Sequence, residues 1–245
     1  MSKLEMLARL NPKTTRYDIG AGGGFDRITD QDIAGALAFV PRGIGRELLI
    51  RVYWPSGAEL VARQFDGVLQ ALMAEELRRR NHAYVDADIA HMLALGSAKS
   101  AAPNERREAE RTVRHCEIAK EQARAACWPM HAEQHQALRH AVLREIAEPH
   151  LCSECEGRGS KMVESKLQVC MACKGTGRGK VSDRERAKRI GRDESTFRRV
   201  WREPYMWLLD RLEGELMSAE RSFCGALASG PNQSGPTGTA LNDAA

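Results

Sequence analysis

Cys152-Ser153-Glu154-Cys155-Glu156-Gly157-Arg158-Gly159 returns in outline as Cys170-Met171-Ala172-Cys173-Lys174-Gly175-Thr176-Gly177. Both segments read Cys-x-x-Cys-x-Gly-x-Gly, with 14 residues between Cys155 and Cys170. Two thiolates three residues apart chelate one ion, and a second pair completes a tetrahedral site. Cys152, Cys155, Cys170 and Cys173 are therefore expected to hold one Zn²⁺. The glycines after each pair admit positive φ, which turns the knuckle amides back toward the sulfurs. Four thiolates leave no open position for water, so the zinc is expected to hold structure and do no chemistry.

Downstream of the second knuckle, Ser182-Asp183-Arg184-Glu185-Arg186-Ala187-Lys188-Arg189-Ile190-Gly191 leads into Arg192-Asp193-Glu194-Ser195-Thr196-Phe197-Arg198-Arg199-Val200-Trp201. Ser182 or Asp183 can cap a helix. Ala187 and Gly191 have the spacing of a helix-turn-helix, a small residue at the crossing and a glycine at the turn. Ile190, Phe197 and Val200 fall at its packed positions, although Arg186 and Arg192 occupy two that are usually apolar. The second helix is expected to begin near Asp193 or Glu194 and to offer Ser195, Thr196, Arg198 and Arg199 to a DNA major groove. Arg184, Arg186, Lys188 and Arg189 would flank the phosphate backbone. Glu203-Pro204 then reads as the start of another helix, carrying Trp207, Leu208, Leu212 and Leu216. An ordinary helical hairpin with a wet basic face is the plainer account of the same residues.

Charge follows this division. The chain carries +4 overall, but residues 156–202 hold 14 Lys/Arg against 6 Asp/Glu, which leaves the remainder at −4. A basic block on an acidic body is the electrostatic footprint of a nucleic-acid contact, and equally of a solvated helical face.

The N-terminal half reads as helices. Thr29-Asp30-Gln31-Asp32 starts one, with Ile33, Leu37 and Ala38 on a face that runs to Pro41. Ile44, Leu48, Leu49 and Val52 mark a second. Ser56 and Glu59 have capping-box spacing before a third, whose stripe is Val61, Phe65, Val68, Leu69, Leu72, Met73 and Leu77 to about Arg80. Val85, Ile89, Met92 and Leu93 suggest a fourth that ends near Gly96. Residues 104–127 are charged and helix-prone, and Leu138, Val142, Leu143 and Ile146 define a short helix before Pro149.

The domain organisation expected is a flexible N-terminal arm over 1–26 and a helical body over 27–149 with a charged helix near 104–127. A zinc-binding loop over 150–180, a helix-turn-helix with a C-terminal helix over 181–228 and a disordered tail over 229–245 follow. The fold class is mainly α, a helical body with an inserted four-Cys zinc knuckle pair followed by a helix-turn-helix. Aromatics are only 5% of the chain and charged residues 29%, which suits helices better than a β-sandwich. No secretory h-region opens the sequence and no stretch approaches a membrane span. The seven cysteines are thus best explained by a reducing cytoplasm and a metal, with Cys116, Cys127 and Cys224 as plain thiols.

No Walker motif, Gly-x-Ser-x-Gly elbow or paired acid site is present, and Gly20-Ala21-Gly22-Gly23-Gly24 lacks the strand and Lys-Ser/Thr of a phosphate loop. His131 and His135 are four apart without an acidic ligand and read as solvated helical histidines. The expectation is a protein that is not an enzyme and takes no small-molecule substrate.

The order of two Cys-x-x-Cys-x-Gly-x-Gly knuckles, Ser-Asp-Arg-x-Arg-Ala and Ile-Gly-x-x-x-Ser-Thr-Phe-x-Arg resembles the late-gene antitermination proteins of lambdoid bacteriophages, the lambda-type Q family. The likeness is closest over residues 149–212 and extends to the stretch from Thr29 to Leu49. It implies a bacterial cytoplasmic protein that binds double-stranded promoter DNA. It further implies that the protein engages paused RNA polymerase through the β-flap and the sigma factor, and converts it to a form that reads through terminators. Two other readings remain. One is a conventional zinc-stabilised regulator acting only at its operator. The other is a DnaJ-like zinc module, although that region uses four such repeats, and its partner His-Pro-Asp motif is absent here.

Overall fold

In this computed structural model the described residues are 4, 7, 10, 28–147, 152, 154–156, 158–163, 166–175, 177 and 179–229. The expected N-terminal arm, apart from residues 4, 7 and 10, and the tail beyond 229 lie outside them, as does Gly157. The chain is mainly helical. It divides into two compact units, Met1–Val61 with Asp210–Ala245, and Ala62–Leu209.

In the first unit, α1 (Asp30–Ala38) begins with a full capping box. The Asp32 amide donates to the Thr29 hydroxyl at 3.2 Å, and the Thr29 amide donates to the Asp32 carboxylate at 2.7 Å. These bonds satisfy amides that a helix start leaves without partners. Ile33, Ala36 and Leu37 are buried, whereas Ala38, expected on that face, is exposed. The second helix, α2 (Ile44–Tyr53), buries Leu48, Leu49 and Ile50. Its Gly45 lies against the residues from Asp210 onward of the last helix, α8 (Arg202–Ser229). A Cβ on Gly45 would sit 2.4 Å from the Glu215 carbonyl oxygen, so only glycine permits this approach. Leu212, Leu216, Ala219 and Phe223 are also buried in this unit, and the Tyr53 hydroxyl donates to Glu220 at 3.0 Å.

At the end of the first unit's N-terminal segment, Pro55–Gly57 forms a 3₁₀ turn instead of a capping box. In the second unit α3 runs unbroken from Ala62 to Ser100. The two helices expected before Gly96 are thus one. Arg78-Arg79-Arg80-Asn81 contains no breaker, and Gly96 costs a helix interior only about 1 kcal/mol. Phe65, Leu69, Met73 and Leu77 are buried, but Val61, Val68, Val85, Ile89, Met92 and Leu93 are exposed. The charged segment is α4 (Arg106–Ala125), which buries no residue completely and folds back along α3. The half-buried residues there include the alanines Ala87, Ala94 and Ala98 on α3 and Ala109, Ala119 and Ala123 on α4, with Tyr84, Val113 and Cys116 among them. Lys120 pairs with Asp88 between the two helices at 2.7 Å.

Helix α5 (Gln136–Ala147) buries Leu138, Val142 and Ile146. Its Arg139, only 2% exposed, pairs with both carboxylate oxygens of Asp66 on α3 at 2.7 and 2.8 Å. That guanidinium holds the Asp66 carboxyl below the usual carboxylate range. Trp128 is buried edge-on against Trp207, with the Arg80 guanidinium over its ring and Glu203 on Arg80 at 2.8 Å.

After the four-cysteine segment come α6 (Asp183–Arg189), a single turn α7 (Glu194–Thr196) and a π-helical turn over Phe197–Trp201 that runs directly into α8. Glu203-Pro204 was expected to open a new helix, but it lies inside this continuous one. Proline removes one amide and its ring crowds the carbonyl four residues back, at Val200. The wider π turn just before it, in which the Arg202 amide donates to the Phe197 carbonyl, gives the chain room to continue.

Candidate functional site

The four cysteines form one buried cluster. Their sulfurs all lie within 4.8 Å of one another, with Cys152 and Cys170 at 3.9 Å and Cys155 and Cys173 at 3.7 Å. Tetrahedral metal–thiolate bonds of about 2.3 Å place sulfurs about 3.8 Å apart, whereas a disulfide needs about 2.05 Å. The donor set and its spacing therefore fit a metal ion such as zinc, and none of the four is in a disulfide.

The backbone around the cluster repeats with approximate two-fold correspondence. The Cys152 amide donates to the Gly177 carbonyl at 2.8 Å, and the Cys170 amide donates to the Gly159 carbonyl at 2.9 Å. The Gly159 amide donates to Cys155 Sγ at 3.2 Å, and the Gly177 amide donates to Cys173 Sγ at 3.3 Å. Amide donors of this kind orient a thiolate and stabilise its charge. Burial pushes the Cys155 thiol up to about 11, despite the Gly159 amide. Burial also raises Cys173, but the Gly177 amide and the neighbouring thiols outweigh it and bring that thiol to about 6.

Sequence reasoning placed the positive φ on the glycines, and Gly159, Gly175 and Gly177 have φ of 72°, 87° and 70°. It missed Glu156 and Lys174, which follow the second cysteine of each knuckle and both have φ 52°. It also missed the antiparallel hairpin between the knuckles, β1 (Ser160–Val163) and β2 (Lys166–Val169), with Met162 opposite Leu167. The alternation in Lys166-Leu167-Gln168-Val169 was the available signal.

A Cβ on Gly159 would lie 2.4 Å from the Gly175 carbonyl oxygen, where the knuckles meet backbone to backbone. Gly159→Ala also opposes a φ of 72°. It is expected to weaken metal affinity by about 10–100-fold, as loss of a ligand's supporting contact does. Competition against a chromogenic chelator checks this; unchanged affinity refutes it.

Beyond the cluster, Ser182 caps α6 by accepting from the Glu185 amide at 3.2 Å. The helix ends at Gly191, φ 69°, with the Arg192 amide donating to the Ala187 carbonyl at 2.9 Å, a glycine stop that closes the last turn. Asp193 then caps α7, accepting from the Thr196 amide at 2.8 Å and the Ser195 hydroxyl at 2.6 Å, and these donors hold its carboxyl well below the usual range. Ala187, Ile190, Phe197 and Trp201 are buried.

The residues expected to meet DNA divide into two groups. Arg184, Lys188, Ser195, Arg198 and Arg199 are exposed, and Thr196 is half-buried. Arg186 requires correction. Its side chain is 13% exposed and grips Glu145 of α5, 9% exposed, through Nε and Nη2, the latter at 2.6 Å. The fully buried Tyr205 donates its hydroxyl to the same carboxylate at 2.7 Å. Arg186 fills a position that is usually apolar because Glu145 neutralises it there, so it does not flank a phosphate backbone. Arg189 is likewise mostly buried and pairs with Glu185. His135 is another correction: it stacks on Trp201 at 4.3 Å outside any helix, and burial with Arg192 and Arg139 nearby lowers its pKa.

Compared with protein-family models, curated proteins and solved structures, the chain shows no match to any of them. Among the described residues no helix is long and apolar enough to cross a membrane. The described residues are those of a mainly helical protein with a buried four-cysteine cluster that suits a metal ion, followed in sequence by the short basic helix α6 and the single turn α7.

Proposed function

We propose that the chain is a transcription antiterminator of the lambdoid late-gene type, which binds promoter DNA and modifies paused RNA polymerase to read through terminators. One Zn²⁺ on Cys152, Cys155, Cys170 and Cys173 stiffens the segment next to a helix-turn-helix built from α6 and α7. The observation that carries the reading is the capped sequence Ser182–α6–Gly191–Asp193–α7 directly after the metal cluster. It leaves the N-terminal residues of its second helix exposed, as a major-groove reader requires.

Ser195 and Arg199 are the residues this reading assigns to base edges. Arg199 makes no ion pair among the described residues, so its full guanidinium is available for a guanine. Arg199→Ala is expected to cost ~1–3 kcal/mol of discrimination between selected and random duplex while leaving the melting temperature in place. Unchanged selectivity in a competition binding assay refutes the assignment. The protein acts without a catalytic constellation and without a small-molecule substrate, in the bacterial cytoplasm.

The deciding experiment is in vitro transcription from a late promoter with a downstream terminator, with zinc measured on the same sample. Readthrough that requires the promoter DNA, with about one zinc per chain, establishes the reading. DNA binding without readthrough makes the protein a conventional regulator. Zinc without either makes it a structural or chaperone-like module.

A further inference from the structure

Arg198 and Arg202 lie four residues apart on one helical face, 62% and 55% exposed. Their Nε atoms approach one oxygen, Asp183 Oδ2, at 3.6 and 3.4 Å. Asp183, 21% exposed, sits in the first turn of α6, and its other oxygen faces Arg186 Nη1 at 3.8 Å. Glu194 takes Nη2 of Arg198 at 2.5 Å. One carboxylate thus gathers two exposed guanidinium groups by their Nε edges. The terminal nitrogens of Arg202 enter no ion pair among the described residues.

We infer that Arg198 and Arg202 form a clamp for a backbone phosphodiester and that Asp183 positions and restrains it, an inference that rests on the DNA-binding reading. Two guanidinium forks side by side match the two non-bridging oxygens of a phosphodiester, which a single ammonium would not. Exposed carboxylate–guanidinium pairs are individually weak, so a phosphate can displace or share them. The formal charges of Asp183 and Glu194 balance those of Arg198 and Arg202 in the free protein. A passing phosphate must compete with those carboxylates, which lowers affinity for arbitrary DNA. At the right site, the other contacts of the docked helices seat the phosphate against arginines already gathered around Asp183. Arg198, which the sequence suggested for base reading, becomes a backbone contact, and Arg202 joins the interface.

The test uses the full chain, a duplex selected from a random pool and a random duplex of equal length. Affinity is measured across a salt series from about 50 to 200 mM. Arg202→Ala should weaken both duplexes to a similar degree and make the slope of log affinity against log salt shallower by about 0.9, one phosphate contact. Asp183→Asn should tighten the random duplex several-fold and reduce the ratio of selected to random affinity. An Arg202→Ala slope equal to wild type on both duplexes overturns the clamp. Random-duplex affinity that is unchanged or weaker in Asp183→Asn overturns the restraint. Arg202→Ala changes an exposed side chain and decides the clamp even where Asp183→Asn fails to fold. If wild type binds neither duplex, the DNA reading itself falls, a result distinct from wild-type binding with unaffected variants.

Discussion

Cys155→Ser should leave the purified chain without its metal and collapse the protection of amides between residues 152 and 177. The energy of a structural zinc site, ~10–16 kcal/mol in small zinc modules, is also the energy that folds the segment around it. Here the dependence is strong because little else stabilises that segment. Its buried residues include the four cysteines themselves, and its sheet is a single two-stranded hairpin, a form that is marginal in water by itself. The amide of Gly159 would also lose the thiolate it supports. Elemental analysis and hydrogen exchange check both parts. Full metal content together with native protection would refute a structural metal. The helices of the first unit, built on Leu48, Leu49 and Phe223, should keep their protection.

Glu145→Ala should be the most damaging substitution outside the metal cluster. It removes the one carboxylate that answers both Arg186 and the Tyr205 hydroxyl, leaving a nearly buried guanidinium with only the 3.8 Å approach of Asp183 and a buried phenol without its acceptor. Breaking one side of such a pair costs ~3–5 kcal/mol, because the stranded charge remains out of water. In a chain of this size that corresponds to a fall in melting temperature on the order of 10 °C. Tyr205→Phe, which removes one hydroxyl and leaves the ion pair intact, should cost only ~1 kcal/mol. Thermal unfolding of the two variants side by side decides the matter, and equal losses would show that the ion pair is not what anchors α6 to α5. Because Glu145 fixes the helix that carries Arg184 and Lys188, its loss should also weaken DNA binding in the proposed function.

Much of the candidate site is legible in the sequence. Cysteine spacing is a local property, and a Cys-x-x-Cys turn brings its sulfurs together whatever surrounds it. The caps are local as well: Thr29 with Asp32, Ser182 with Glu185 and Asp193 with Thr196 each join residues three apart. Glu156 and Lys174 were not legible, since nothing in the character of Glu or Lys announces a left-handed backbone; the knuckle imposes it. The apolar stripe Val85, Ile89, Met92 and Leu93 has the period of a buried helix face, yet it is exposed. Periodicity fixes which residues share a face and leaves open what packs against it.

The sequence by itself determined the four clustered cysteines, the helical character of the chain and the starts of its capped helices, because each depends largely on residues a few positions apart. Tertiary structure alone decided the direction of the arginines. Arg186 and Arg184 lie on the same short basic helix, but Arg186 meets Glu145, 41 residues earlier in the chain, and turns inward, while Arg184 stays in water. Arg198 and Arg202 were drawn together by Asp183 from another helix. A charge far from its partner in sequence carries no local sign of whether it will be neutralised, and only the packing that removes water from around it settles the question.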